Sequence, residues 1–277
     1  MKRVDSSKLI SEINKLNSEI ENVYHIFVNF FDEECTTESK LDDLMQVLIE
    51  TNVIGDKMKL RQFLHIIASI SLDTYAFLKN EQKIGNLLLR IEKEIHDLSF
   101  NQDLFDICRC NRRLLLFLIE ESIIQLDESI AYQILSTNDA NYIVYFYLEV
   151  KPLMNREVTS FIKDYIPQID DIEHFRQQRR IGQNDSEICI MIRDDSVDAF
   201  ARFIGRTNLS LNSTIKTSIY ETNSLFLNHS PSLIQYTAFY GSIKIFKYLL
   251  LHNVRLDPEI WPYAIHGRNY DIIHLLE

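Results

Sequence analysis

The residues that could carry chemistry in this 277-residue chain are its cysteines, its histidines and its acidic pairs. Cys108 and Cys110 form a Cys-x-Cys motif, which lacks the paired Cys-x-x-Cys spacing of structural zinc sites. We therefore predict that both are small, buried packing residues. His266 and His274 lie on opposite sides of a predicted chain reversal, so they do not share one helix face and predict no metal site.

Acidic pairs such as Asp194-Asp195 are adjacent along the chain and fan apart on a helix. Helix capping and solvated faces explain them better than general acid–base catalysis. The six glycines are scattered singly, and the chain contains no phosphate-binding loop, no nucleophile elbow and no His-Glu-x-x-His motif. The sequence therefore predicts no catalytic residue, no metal and no cofactor, and we expect a protein that is not an enzyme.

The net charge of −11 disfavours binding to a phosphate backbone. The densest basic stretch contains Arg176, Arg179 and Arg180 beside three acidic residues, and we interpret it as a solvated helix face. The longest apolar runs fall short of the ~18 residues that span a bilayer, and no secretory leader pattern opens the chain. We expect a cytoplasmic, reduced protein without a nucleic-acid partner and without membrane insertion.

The elements that must position any site are predicted to be helices. Apolar residues recur at intervals of three and four, and strict alternation is absent. This periodicity predicts helices over Lys40–Glu50, Lys57–Ile70 and Gln82–Leu98, with the second capped by Asp56. The short connections favour antiparallel neighbours.

The most regular apolar pattern runs from Leu9 to Phe30, with spacings that alternate between four and three residues. Such spacing places the apolar residues on one stripe of a long helix. Two interpretations are open. The stripe packs within its own chain, which we favour, or it is a coiled-coil seam that forms a weak homo-oligomer.

An internal repeat occupies the C-terminal part of the chain. An offset of 26 residues aligns Leu233–Leu250 with Glu259–Leu276, and an isoleucine, an alanine, a glycine and two leucines are identical. Weaker copies of the same apolar pattern begin at Cys110, Asp139 and Asp195. Repeats of this size predict supersecondary units that stack to bury a shared apolar surface.

The run from Ser232 to Gly241, followed by Ile245-Phe246 and Leu249-Leu250, resembles the ankyrin repeat. In this pattern, a small residue such as Ala238 lies where two antiparallel helices touch, and Gly241 allows the tight reversal.

Three further segments are similar to an ankyrin-like family of unknown function that is expanded in trichomonad protists. These segments are Gly182–Val197, Arg206–Leu211 and Trp261–Gly267.

The resemblance implies an all-α fold, a right-handed helical-hairpin solenoid in which a degenerate N-terminal helical array precedes ankyrin-like repeats. We predict an N-terminal helical region over residues 1–102, degenerate helix pairs over 103–205, an irregular insertion over 206–229 and two repeats over 230–277. No capping helix follows Leu275-Leu276, so we expect either a truncated chain or a partner that covers this end.

The resemblance also implies a non-enzymatic scaffold that binds an unidentified protein through its concave helical face. In the family, the two residues before the glycine face this groove, which assigns Phe239, Tyr240, Ile265 and His266 to a protein-binding site. Phe239 alternatively packs against Ile265 of the next repeat, so Tyr240 and His266 are the better candidates. The alternative function is a structural or self-assembling protein that uses the N-terminal heptad helix, with the repeats as a spacer.

Overall fold

The computed structural model of the protein describes residues 30, 38–71, 74–98, 101–165, 169, 171–227 and 229–277. These residues form 18 α-helices, one short 3₁₀ helix and a single isolated β-bridge, without a strand. The predicted all-α class is therefore confirmed. The predicted stripe from Leu9 to Phe30 lies outside the described residues except for Phe30 itself.

Two compact units divide the chain, and the first comprises Met1–Cys110 with Phe117–Gln125. Its described helices are α1 (Glu38–Glu50), α2 (Lys57–Ser71), α3 (Thr74–Arg90), α4 (Glu92–Leu98) and α5 (Asn101–Cys108). Asp56 caps α2 as predicted, because its carboxylate accepts the N–H groups of Met58 and Lys59 at 2.9 and 3.0 Å. Helix α2 contacts α3, α4 and α5, and buried leucines and isoleucines fill the space between them.

The prediction of one helix over Gln82–Leu98 differs from the structure, which has α3 and α4 on either side of Ile91. The interruption is slight. The N–H of Ile91 still donates to Leu87, and the N–H of Ile95 donates to Ile91. The helical periodicity of the apolar residues is therefore preserved across the break.

The second unit comprises Asn111–Leu116 with Leu126–Glu277, and α6 (Arg112–Glu120) contains the boundary. Its other helices are α7 (Glu128–Leu135), α8 (Ala140–Tyr145), α9 (Tyr147–Val150), α10 (Arg156–Phe161), α11 (Ile172–Ile181), α12 (Glu187–Arg193), α13 (Val197–Thr207), α14 (Ser224–Leu227), α15 (Leu233–Phe239), α16 (Ile243–Leu251), α17 (Ile260–Gly267) and α18 (Tyr270–Leu276). The 3₁₀ helix is Lys151–Leu153.

Aspartate and asparagine side chains begin several of these helices, among them α7, α8, α10 and α11. Each accepts the backbone N–H of the residue three positions later, which satisfies a donor that the helix leaves free. The caps of α7, α8, α10 and α11 are Asp127, Asp139, Asn155 and Asp171. The interpretation of acidic residues as helix caps is therefore confirmed at Asp171, which belongs to the Asp170-Asp171 pair.

Two interpretations of single residues are wrong. Arg179 is not solvated, since only 1% of it is exposed and its guanidinium binds both carboxylate oxygens of Glu149 at 2.7 and 2.9 Å. It lies four residues after the buried Phe175, on the same face of α11.

The second wrong interpretation concerns Cys110, which is exposed. Cys108 is buried as predicted, and burial raises the pKa of the Cys108 thiol to about 12.

Three consecutive helix pairs end the second unit: α12 with α13, α15 with α16, and α17 with α18. Helix α15 contacts both α12 and α17, and we call these three helices the inner layer. Helix α16 likewise contacts α13 and α18, which form the outer layer. Each pair reverses through one residue with positive φ: Asp195 at 47°, Gly241 at 65° and Arg268 at 49°.

The third of these turns differs from the repeat alignment, which matches Gly241 with Gly267. Gly267 is the last residue of α17, and Arg268 adopts the left-handed conformation instead. A Cβ atom on Gly267 would collide with the carbonyl oxygen of Ala238 in α15. Gly267 therefore permits the close approach of α15 and α17, while the reversal follows one residue later.

Hydrogen bonds join each turn to the next. The hydroxyl of Ser242 donates to the carbonyl of Ile192 at 2.6 Å, and the side-chain amide of Asn269 donates to the carbonyl of Gly241 at 2.9 Å. The Asp195 carboxylate accepts two backbone N–H groups at the start of α16, each at 3.0 Å. Successive pairs are thus held in register by polar contacts as well as by the apolar core.

Candidate protein-binding site

The four predicted binding residues lie at the C-terminal ends of α15 and α17, and the structure distinguishes them by exposure. Phe239 is 5% exposed and Ile265 is 63% exposed, while Tyr240 and His266 are half-buried. The His266 ring stacks on Phe239 with 5.6 Å between centroids, and the Tyr240 ring meets Phe239 edge-on at 5.0 Å. The structure therefore brings Phe239, Tyr240 and His266 together and leaves Ile265 at the surface.

A capping box sets the start of α15. The hydroxyl of Ser232 accepts the N–H of Gln235, and the Gln235 side chain accepts the N–H of Ser232 at 2.8 Å. Because side chains three and four residues apart share a helix face, Tyr236, Phe239 and Tyr240 then point to the same side of α15.

This side of α15 is covered by Phe226 of α14, and we call Phe226, Tyr236, Phe239, Tyr240 and Tyr263 the aromatic cluster. The Phe226 ring lies 4.6 Å from Phe239, 5.1 Å from Tyr236 and 6.3 Å from Tyr240, measured between centroids. It also stacks on Tyr263 of α17 at 6.1 Å. Phe226 thus contacts two helices of the inner layer and is almost fully buried.

Sequence reasoning missed Phe226, because residues 206–229 were predicted to be an irregular insertion. The structure places the end of α13 and all of α14 in this segment. An apolar triplet, Leu225-Phe226-Leu227, stands out there among polar residues. That triplet was the available signal, but its burial depends on contacts with α15 and α17 that periodicity does not reveal.

Arg193 of α12 forms the polar edge of the aromatic cluster. Its guanidinium donates to the Tyr236 hydroxyl at 3.1 Å and to the carbonyl of Asn184 at 2.7 Å, and lies 5.9 Å from the Tyr240 ring centre. Burial raises the pKa of both tyrosine hydroxyls, so both remain neutral near pH 7. The cluster is therefore an uncharged and largely buried group of aromatic rings with the Arg193 cation at its edge.

Glu221 is a buried carboxylate that fixes the segment leading into α14. It accepts the backbone N–H groups of Thr222 and Asn223 at 3.0 and 2.9 Å, and that of Asn184 at 3.3 Å. The Asn223 side chain in turn accepts the N–H of Leu225 at 2.8 Å. Burial raises the pKa of Glu221 to about 7, which makes this attachment sensitive to pH.

No cluster of three or more potential metal ligands occurs in the part of the chain that the structure describes. None of the described helices combines the length and apolar character needed to cross a membrane. Comparison with known proteins finds no matching family model, no matching curated protein and no matching solved structure.

Proposed function

We propose that the protein is a non-enzymatic ankyrin-like scaffold that binds another protein through the inner layer of a right-handed helical-hairpin solenoid. The main support is the recurrent linkage between successive turns, in which Ser242, Asp195 and Asn269 each bond to the neighbouring helix pair. Stacked units of this kind form a rigid surface, so little conformational entropy is lost when a partner binds.

The inner layer carries apolar side chains that suit such a partner. Ile190 on α12 and both Trp261 and Ile265 on α17 are exposed large apolar residues. Trp261 and Ile265 are four residues apart and therefore share one face of α17. Aromatic anchors contribute much of the binding energy in many protein interfaces, and the apolar side chains around them exclude water.

Quantitative affinity capture with the tagged full-length protein tests the proposal. The partner found with the wild-type chain is purified, and its affinity is then measured by calorimetry against Ile265→Asp, Tyr240→Ala and His266→Ala. We expect Ile265→Asp to weaken binding at least tenfold, because a desolvated carboxylate replaces an apolar contact. The two alanine variants should weaken it less, since Tyr240 and His266 are half-buried.

Leu251→Asp is the matched control, because Leu251 is 81% exposed and lies on α16 in the outer layer. It introduces the same charge at an even more exposed apolar position, and its affinity for the partner should equal that of the wild type. Undiminished binding by Ile265→Asp, Tyr240→Ala and His266→Ala would contradict the assignment of the inner layer.

A further inference from the structure

The aromatic cluster is already occupied by a segment of the same chain. Helix α14 has only four residues, and it directs Phe226 against Tyr236, Phe239 and Tyr240 of α15 and against Tyr263 of α17. This is the surface to which the sequence assigned Phe239 and Tyr240 as partner contacts. An intrachain helical turn therefore lies where a bound partner is expected.

Three backbone N–H groups of α14 have local partners. The N–H groups of Phe226 and Leu227 donate to the carbonyl of Asn223 at 2.9 and 3.0 Å, and that of Leu225 donates to the Asn223 side chain. Glu221 holds the segment before α14 by hydrogen bonds, whereas the ring contacts of Phe226 hold α14 itself against α15 and α17. A turn held by packing can be replaced by another turn of similar side chains without breaking its own hydrogen bonds.

The chemistry of the cluster indicates which replacement fits. The occupant has an aromatic residue between two leucines and carries no charge, and the tyrosine hydroxyls around it are neutral. Ring-to-ring contacts with four aromatic side chains favour a phenyl ring at the centre. Glu221 lines the same small cavity as Phe226 and Tyr236, so an acidic side chain in the place of Phe226 would lie near a buried carboxyl group.

Building on the proposed function, we propose that α14 is an autoinhibitory pseudo-ligand of the aromatic cluster. The partner is a protein that contributes a short, uncharged helical turn with an aromatic residue flanked by aliphatic residues, and its ring takes the place of Phe226. Binding requires α14 to leave the cluster. The apparent affinity of the resting chain therefore equals the affinity of the open form multiplied by the small fraction of molecules that are open.

The test uses a fluorescein-labelled peptide of residues 222–228 of this chain, which has no charged side chain, as the probe, titrated with the full-length protein by fluorescence anisotropy. In the Phe226→Ala protein the competing ring is absent, and we expect it to bind the peptide at least tenfold more tightly than the wild type does. A peptide that carries the same Phe226→Ala change should not bind, because the ring supplies the contact with the cluster.

Phe105→Ala is the matched control for loss of a buried phenyl ring, since Phe105 is buried in the first unit. It should bind the peptide as weakly as the wild type does. Phe226→Leu keeps most of the apolar volume and loses the aromatic contacts, so we expect it to retain the fold. We expect it to show at least a threefold gain, and it decides the outcome if Phe226→Ala does not fold.

Equal peptide binding by a folded Phe226 variant and the wild type would overturn the inference. A concentration-dependent dimer of the wild-type chain that the peptide dissociates would assign the cluster to a second copy and would also overturn it. Loss of the partner by Ile265→Asp without a peptide gain by the Phe226 variants would retain the proposed function and reject autoinhibition alone.

Discussion

Replacing Gly267 with alanine tests whether α15 and α17 approach as closely as the structure indicates. Gly267 lies in the helix and does not require a positive φ, so helix propensity alone predicts that alanine stabilises the protein by about 1 kcal/mol. The added Cβ would instead collide with the carbonyl oxygen of Ala238 and lie 3.1 Å from that of Phe239. Both are backbone atoms of the neighbouring helix, so relief requires the two helices to separate.

The cost of the clash between the added Cβ and α15 exceeds the gain in helix propensity. Overpacking of this kind costs about 3 kcal/mol at the upper end of its usual range, and subtraction of about 1 kcal/mol for propensity leaves a net destabilisation of about 2 kcal/mol. With a urea dependence of about 2 kcal/mol per molar, the unfolding midpoint falls by about 1 M. The emission of Trp261, the single tryptophan of the chain, reports on α17 directly during the titration.

Gly205→Ala is the matched control, because Gly205 lies in α13 and a Cβ there meets no atom within 4 Å. We expect this variant to gain about 1 kcal/mol from helix propensity. A Gly267→Ala protein that is as stable as the wild type, or more stable, would refute the close approach of the two helices.

Two further perturbations probe the turns and the buried carboxylate. Asp195→Ala should lower the free energy of unfolding by about 2 kcal/mol, about half because α16 loses a cap and about half because alanine disfavours a positive φ. Asp195→Gly loses only the cap, since glycine adopts a positive φ without strain. Urea titrations should therefore show a loss of about 1 kcal/mol for Asp195→Gly. Because burial raises the pKa of Glu221 from 4.5 to about 7, the folded state holds a proton that the unfolded state releases between these values. The stability that protonated Glu221 contributes below pH 4.5 should therefore decline as the pH rises to about 7. Melting temperatures measured from pH 4.5 to 8 should decline less for Glu221→Gln than for the wild type. Equal pH profiles for the two proteins would remove Glu221 as the cause.

The all-helical class was predictable because helical periodicity is a local property of the chain. Apolar residues at intervals of three and four place one face of each helix toward the core, wherever that core lies. The capping residues Asp56, Asp171 and Ser232 were predictable for the same reason, since their bonds reach only two or three residues along the chain. The break between α3 and α4 at Ile91 was not predictable, because the helical hydrogen bonds continue around it and no glycine or proline lies there.

The candidate site was predictable only in part. Tyr240 and His266 lie beside Phe239 in the predicted region of α15 and α17, whereas Ile265 stands apart in solvent. The covering ring of Phe226 comes from a segment without periodicity. Its position depends on a bridge between Thr214 and Ser232 and on the Glu221 contacts, which join residues far apart in the sequence.

Local order in this protein thus follows from neighbouring residues, and burial follows from distant ones. The sequence alone indicates that Arg179 is a surface residue. In the structure it is buried, because both carboxylate oxygens of Glu149, 30 positions earlier, bind its guanidinium. The repeat alignment likewise indicates that Gly267 is a turn residue. In the structure it lies against α15, which leaves no room for a side chain. Contacts between distant segments gain free energy only when the whole unit has formed, so they leave little trace in the spacing of residues along the chain.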